Sequence, residues 1–239
     1  MDPLALHAAD GVIELPVASA FAALALGVLA VCLVRGRRQL DDRLAPMAGL
    51  VAAFVFAAQM LNFPVLPGVS GHLVGGALAA LLVGPWVAAL CLSVVLIVQA
   101  LIFADGGLTA LGINITNMAL VSTLVAYLVI AGLLKVLPRT RAGLAITGFV
   151  ASVVSVVVAA LAFVGQYWIG GGVELTVGLG EVAGTMAGVH TLIGIGEGLI
   201  TAVTVVTVAR VRPDLVYALR GQRLVTPDSP RVPATGGAA

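Results

Sequence analysis

The stretch PWVAALCLSVVLIVQALIF, residues 85–103, contains no charged side chain. A helix of about 20 apolar residues crosses the roughly 30 Å hydrocarbon core of a bilayer, so this stretch is predicted to span a membrane. Six further apolar runs flank it, one of them short, at residues 16–34, 45–61, 72–83, 114–134, 142–167 and 182–208. The sequence therefore predicts an all-α, polytopic membrane protein, a bundle of seven transmembrane helices.

The composition excludes several classes of protein. Of the 239 residues, 61% are hydrophobic and 10% are charged, whereas soluble proteins carry about 25% charged residues. A chain with so few polar side chains cannot cover a water-soluble surface. The net charge of +1 gives no basis for binding nucleic acid. The two cysteines, Cys32 and Cys91, lie inside apolar runs and do not form a disulfide framework.

The basic residues predict the orientation of the helices. All twelve Lys and Arg residues fall within the segments 35–43, 135–141 and 210–231. Cytoplasmic loops collect Lys and Arg. Seven spans with the N-terminus outside and the C-terminus inside place all three basic segments on the cytoplasmic side. This gives an extracytoplasmic N-terminal segment (1–15), a membrane domain (16–209) and a cytoplasmic tail (210–239) that is expected to be a loose terminus.

The three histidines are the first candidates for a site. His7, His72 and His190 all map to the outer half of the predicted bundle. Imidazole is a ligand suited to Zn, Cu, Ni and Co. A single histidine in a helical bundle is more often a hydrogen-bonded packing residue, and the residues alone leave that alternative open.

Other polar residues lie near the same predicted surface. Asn62 and Asn114 stand at the outer ends of spans. His190 and Glu197 are seven residues apart on the last span and therefore share one helix face. Placing an ionisable group in the hydrocarbon core costs free energy. A polar cluster that is open to the outside is therefore predicted.

Five motifs resemble the cobalt/nickel substrate-capture permeases of energy-coupling-factor transporters. They are FVFAAQMLNFP (54–64), SGHLVGG (70–76), DGGLTALG (105–112), GVH to GIGEGLIT (188–201) and VRPDL (211–215). The resemblance covers about residues 6–216 and keeps the motifs in order.

The resemblance implies a function for the chain. Members of the family are seven-helix proteins of the cell membrane that bind Co²⁺ or Ni²⁺ on the outer side, and cobalt uptake serves cobalamin biosynthesis. They work with a transmembrane coupling subunit, cytoplasmic ATPase subunits and commonly a small accessory membrane subunit. The ATPases hydrolyse ATP, so this chain is expected to be a transporter subunit in contact with membrane lipid, without enzymatic activity or an organic cofactor. The same donors serve both metals, so the sequence does not distinguish cobalt from nickel.

The resemblance also implies a set of metal ligands. Family members begin with Met-His, two residues and Asp-Gly, and hold the metal through the terminal amine, the amide and imidazole of that histidine, and the histidine of Ser-Gly-His. The matching residues here are His7, followed by Asp10-Gly11, and His72. Residues 1–5 precede Leu6, so its amine is a ligand only if Leu6 is the true N-terminus, decoded as Met from a non-standard start codon. The residues expected to support the ligands are Asp10, Asn62, Asn114, His190 and Glu197.

Three other functions stay open at this point. A membrane haem or electron-transfer subunit would use His72 and His190 as axial ligands. An intramembrane enzyme such as a metalloprotease is opposed only by missing motifs, since His-Glu-x-x-His and Gly-x-Ser-x-Gly do not occur. A stand-alone cation transporter or channel would carry ions without ATPases.

Overall fold

The computed structural model describes residues 7–42, 44–60, 63–66, 69–138, 140–173 and 177–220. Two of the predicted site residues, Leu6 and Asn62, lie outside these ranges.

Each of the seven predicted apolar runs contains a helix. They are α1 Leu15–Gly36, α2 Leu44–Gln59, α3 Gly76–Val83, α4 Pro85–Ile102, α5 Leu111–Val136, α6 Arg141–Gly170 and α7 Leu179–Val211. Five of them are long and apolar enough to cross a membrane; α2 is apolar but has 16 residues, and α3 has 8. The prediction of a multi-pass helical membrane protein is confirmed.

The short helix α3 lies at the centre of the fold. All eight of its residues are buried, and it packs against α2, α4, α5, α6 and α7. The run was predicted to be helical from His72, but the helix begins at Gly76. Gly75 adopts a left-handed conformation with φ +87°, which an α-helix does not accommodate, so residues 72–75 lie outside the helix. Gly84, with φ +80°, then separates α3 from α4.

Helix α5 changes its pitch near one end. Residues Ile115–Val121 form a π-helical segment between the α-helical segments Leu111–Asn114 and Ser122–Val136. Two polar side chains in this segment, Thr116 and Asn117, are buried. Such segments occur frequently at functional sites.

One short hairpin adds strands to the helical fold. Phe63–Leu66 (β1) and Val69–Gly71 (β2) pair antiparallel, with Phe63 opposite Gly71. The hairpin connects α2 to the non-helical segment that carries His72. It was not predicted from the sequence.

The first part of the C-terminal tail belongs to the core. Residues Pro213–Leu215 and Tyr217–Leu219 form two 3₁₀ turns, of which the second packs against α3. Val216 is fully buried between them. The expectation of a loose tail after Arg212 is therefore wrong for residues 213–219. Both cysteines are also buried, as free thiols.

Candidate metal-binding site

The N-terminal segment, residues 7–14, is docked on the bundle. The Asp10 carboxylate accepts hydrogen bonds from the Thr109 amide (2.8 Å) and hydroxyl (2.6 Å). The Thr109 hydroxyl, followed by its amide, lowers the pKa of Asp10 from its usual value. At the other end of the segment, the Glu14 amide donates to the Gly170 carbonyl (2.8 Å). These bonds attach the segment to the α4–α5 loop and to the end of α6.

Asn114 fixes the residue next to His7. Its amide oxygen accepts from the Ala8 amide (3.2 Å), and its nitrogen donates to the Ala8 carbonyl (3.3 Å). The Gly107 amide also donates to the Ala8 carbonyl (2.9 Å). A Cβ atom on Gly106 would lie 2.8 Å from the His7 Cβ atom. The glycines of the Asp-Gly-Gly sequence therefore allow the close approach of the N-terminal segment.

Two of the predicted ligands come together. The rings of His7 and His72 have centroids 4.9 Å apart and planes inclined by 58°. The His7 side chain is 1% exposed, and its Nδ1 lies 3.1 Å from Asp105 Oδ1. His72 Nδ1 lies 2.9 Å from the Leu73 carbonyl oxygen. His7 is thus a buried part of the bundle, not a residue of a free terminus.

The two rings border a cavity of about 370 Å³. His190, from α7, lines the same cavity, and its Nδ1 donates to the Met186 carbonyl (2.8 Å). A neutral imidazole that donates through Nδ1 carries its lone pair on Nε2, which is the form that binds metals. Asn114, Asn117 and Thr185 are the other polar residues that line the cavity, and the rest of its wall is formed mainly by apolar side chains.

The segment that carries His72 is held by two helices. Val74 donates its amide hydrogen to Glu197 Oε2 (2.7 Å) and accepts at its carbonyl from Gln59 Nε2 (2.8 Å). The Gln59 and Glu197 side chains are almost completely buried. Non-helical backbone at membrane depth is tolerated only where its polar groups are satisfied within the protein. Gln59 and Glu197 supply these bonds, two residues from His72.

The pitch change in α5 places another polar pair beside the cavity. Asn117 Nδ2 donates to Gln166 Oε1 (2.7 Å), and Gln166 Nε2 donates to Asn117 Oδ1 (3.0 Å). This reciprocal pair joins α5 to α6. The sequence reasoning missed Gln166, Thr109 and Asp105, although Asp105 and Thr109 belong to a motif that carried the family resemblance.

The structure distributes the predicted site residues as follows. His7 and His72 are adjacent, Asp10 and Asn114 hold the N-terminal segment, His190 lines the cavity, and Glu197 lies behind the His72 segment. Within the described ranges, no group of three or more His, Cys, Asp and Glu side chains is arranged to hold a metal ion. A complete ligand set therefore needs donors beyond these four side-chain types in the described ranges, such as backbone nitrogen, residues outside those ranges or solvent.

A family model described as "CbiM: Cobalt uptake substrate-specific transmembrane region" matches residues 7–215. The chain belongs to this family. The family resemblance inferred from the sequence motifs is thereby confirmed.

Relatives of this chain carry the names of metal transport proteins. This chain is 41% identical over 211 residues to a putative fused nickel transport protein, NikMN, of Archaeoglobus fulgidus, and the alignment covers 88% of this chain and 68% of that protein. It is 33% identical to the cobalt transport protein CbiM of Sorangium cellulosum, covering 92% and 98% of the two chains. A crystal structure titled as a truncated transition metal transporter aligns with a TM-score of 0.73 and 28% identity, covering 85% of this chain and 98% of that one.

Proposed function

We propose that this chain is the substrate-binding membrane subunit of an ATP-driven energy-coupling-factor transporter that takes up Co²⁺ or Ni²⁺. The observation that carries the proposal is the approach of the His7 and His72 rings to 4.9 Å at the edge of a cavity. Membership of the cobalt-uptake family and the names of the relatives support it. The transported ion is the substrate, and the chain itself catalyses no reaction.

The proposed orientation has seven spans, the N-terminus outside and the C-terminus inside. The distribution of Lys and Arg supports it, because none of these residues occurs before Arg35 or between 44 and 134. In this orientation the His7–His72 end of the cavity faces the exterior. Acidic residues of the outer segments, such as Asp2 and Glu181, would attract cations to that face.

The proposed ligands are nitrogen atoms of residues 6, 7 and 72. A six-membered chelate that uses the His7 amide and imidazole requires the Nδ1 atom, which here faces Asp105 at 3.1 Å. Metal binding would therefore replace the Asp105 contact with a metal bond. The amine of Leu6 is the fourth proposed donor, and an intact-mass measurement of the native protein tests it. A mature chain that begins at residue 6 supports this donor, and a chain that retains Asp2 and Pro3 contradicts it.

Coordination chemistry connects this ligand set to the proposed substrates. Four nitrogen donors in a plane favour Ni(II) or Cu(II) and can accept Co(II). The amide must lose its proton before it binds a metal, so affinity falls as the pH falls. Asp10, Asn62 and Asn114 are proposed to hold the ligand segments, and His190 and Glu197 to brace the site from α7.

The proposed partners are a transmembrane coupling subunit, cytoplasmic ATPases and a small accessory membrane subunit. Family membership supports such an assembly, and the fused relatives contain more chain than this one: NikMN of Archaeoglobus fulgidus is matched over 68% of its length. Metal uptake by this chain alone, without ATPases, would instead support a stand-alone transporter. A purified protein with a haem absorption band would support an electron-transfer subunit.

Isothermal titration of the purified protein with Ni²⁺ and with Co²⁺ tests the metal site. His72→Ala is expected to abolish high-affinity binding, because it removes one of two adjacent imidazoles. His190→Ala is expected to weaken binding less, since that ring lies elsewhere on the cavity wall. Thr191→Val is a matched control on α7, where the hydroxyl donates to the Ala187 carbonyl of its own helix (2.7 Å). Unchanged affinity in His72→Ala would contradict the proposed site.

A further inference from the structure

Helix α7 carries a row of polar residues that leads away from the cavity. His190, Glu197 and Thr201 are seven and four residues apart and share one helix face. The rise from His190 to Glu197 is about 10 Å along the axis. In the orientation proposed above, this row runs inward from the cavity.

The hydrogen bond to Val74 involves one of the two carboxyl oxygens of Glu197. The side chain is 2% exposed, and Oε2 accepts the Val74 amide hydrogen. Its other oxygen, Oε1, makes no hydrogen bond to any part of the chain that the structure describes. No Lys, Arg or His of those ranges forms an ion pair with it, although the backbone amide of Gly75 also interacts with the carboxyl group. An ionisable side chain that is buried at membrane depth without an ion-pair partner indicates a function.

Only a thin apolar layer separates this carboxylate from the cavity. The side chains of Val74, Val156, Val189 and Ile193 form one buried cluster, and all four line the cavity. Glu197 is bonded to the backbone of Val74 and therefore lies directly behind this layer. A displacement of Val74 would open the cavity towards Glu197.

Polar groups continue beyond Glu197. The Ser152 hydroxyl of α6 donates to the Thr201 hydroxyl of α7 (3.2 Å), and both residues are buried. A cavity of about 10 Å³ touches Glu197 and Thr201, which is about the space that one water-sized particle needs. Between the two helices, a Cβ atom on Gly198 would lie 2.7 Å from the Phe149 ring. The interface is therefore closed below the small cavity.

We propose that Glu197 is a second, inner cation site, which receives the metal ion when it leaves the imidazoles on its way to the cytoplasm. The Thr201 and Ser152 hydroxyls supply the next oxygen atoms once α6 and α7 separate. Carboxylate oxygen binds Ni²⁺ and Co²⁺ less tightly than a set of nitrogen ligands does, and a transported ion must be able to leave each site that it occupies. The inference rests on the proposed function, since it concerns the route of the same ion.

The Glu197→Gln variant separates this role from that of holding Val74. Glutamine keeps the volume and an oxygen that accepts the Val74 amide hydrogen, but it removes the negative charge. Titration of the purified chain with Ni²⁺ gives the affinity of the outer site, which Glu197 also braces. Uptake of radioactive Ni²⁺ by the complete transporter in cells is expected to fall at least tenfold further than this affinity does.

Two further variants complete the test. Glu197→Asp keeps the charge and is expected to restore part of the uptake. Gln59→Leu removes the other bond to Val74 without changing a charge, so binding and uptake are expected to fall together. Wild-type uptake in Glu197→Gln, or an equal loss of binding and uptake in it, would overturn the inner site. A wild-type chain that binds neither metal would overturn the proposed function instead.

Discussion

Replacement of Asn114 by alanine should weaken metal binding without touching a proposed ligand. The Asn114 side chain forms two hydrogen bonds with the backbone of Ala8, at 3.2 and 3.3 Å. A hydrogen bond within a protein contributes about 1 kcal/mol net, so their loss costs about 2 kcal/mol of docking free energy. If the metal binds only when the N-terminal segment is docked, the affinity for Ni²⁺ should fall about 30-fold.

The measurement combines titration calorimetry with hydrogen exchange. Calorimetry of Asn114→Ala in detergent gives the affinity, and exchange of the metal-free protein reports whether the amides of residues 8–12 lose protection. Thr116→Val is the matched control, because that hydroxyl lies two residues away and donates to the Gly112 carbonyl of its own helix (2.8 Å), with a longer contact of 3.5 Å to the Phe21 carbonyl. The control should keep both the affinity and the protection.

Two results would refute the reasoning. Wild-type affinity in Asn114→Ala would show that docking of the N-terminal segment does not contribute to metal binding. Lost affinity with unchanged amide protection would show that Asn114 acts on the metal by another route than through Ala8.

Two more predictions concern the segments that carry the histidines. Gly75→Ala should destabilise the protein by about 1–2 kcal/mol, because φ +87° disfavours alanine and the new Cβ would lie 2.9 Å from the methyl groups of Val55; thermal unfolding measures this, and Gly27→Ala, which meets no atom within 4 Å, should be unaffected. The pKa of Asp10 is lowered by Thr109, so the charged carboxylate should stabilise docking fully above about pH 4, the usual value, and lose this effect as the pH falls through the lowered pKa. Thr109 amide protection, corrected for intrinsic exchange, should therefore stay constant from pH 7 to 5 and decline only in stronger acid; a decline already near pH 6, or the same profile in Asp10→Asn, would contradict this.

Hydropathy located the helices but not their ends inside the bundle. The run 72–83 is apolar throughout its buried part, and apolar composition does not distinguish extended from helical chain when every face is buried. The left-handed Gly75 and the bonds from Gln59 and Glu197 to Val74 determine that the helix starts at Gly76. These bonds join helices α2 and α7 to residues far away in the sequence, and no local pattern encodes them.

Site residues that belong to a motif could be predicted from the sequence. The residues that contact them from elsewhere in the chain could not. His7, His72, Asp10 and Asn114 were identified in advance, the two histidines through the family motif. Their partners were not, because the bond between Asp10 and Thr109 spans 99 positions of the chain and depends on how the helices pack. The sequence also gave no sign of the π-helical segment, since its polar residues resemble those of any helix that faces a cavity.

The burial of Cys32 and Cys91 has a practical consequence for spectroscopy. Buried thiols react slowly because the reagent must reach a thiolate, so maleimide or methanethiosulfonate probes should leave both native cysteines unlabelled in the folded protein. Cysteines introduced at the exposed positions Val154 and Leu192, on the neighbouring helices α6 and α7, can then carry spin labels without prior removal of the native thiols. Dipolar distances between such labels, measured in different trapped states, would report how far the two helices separate.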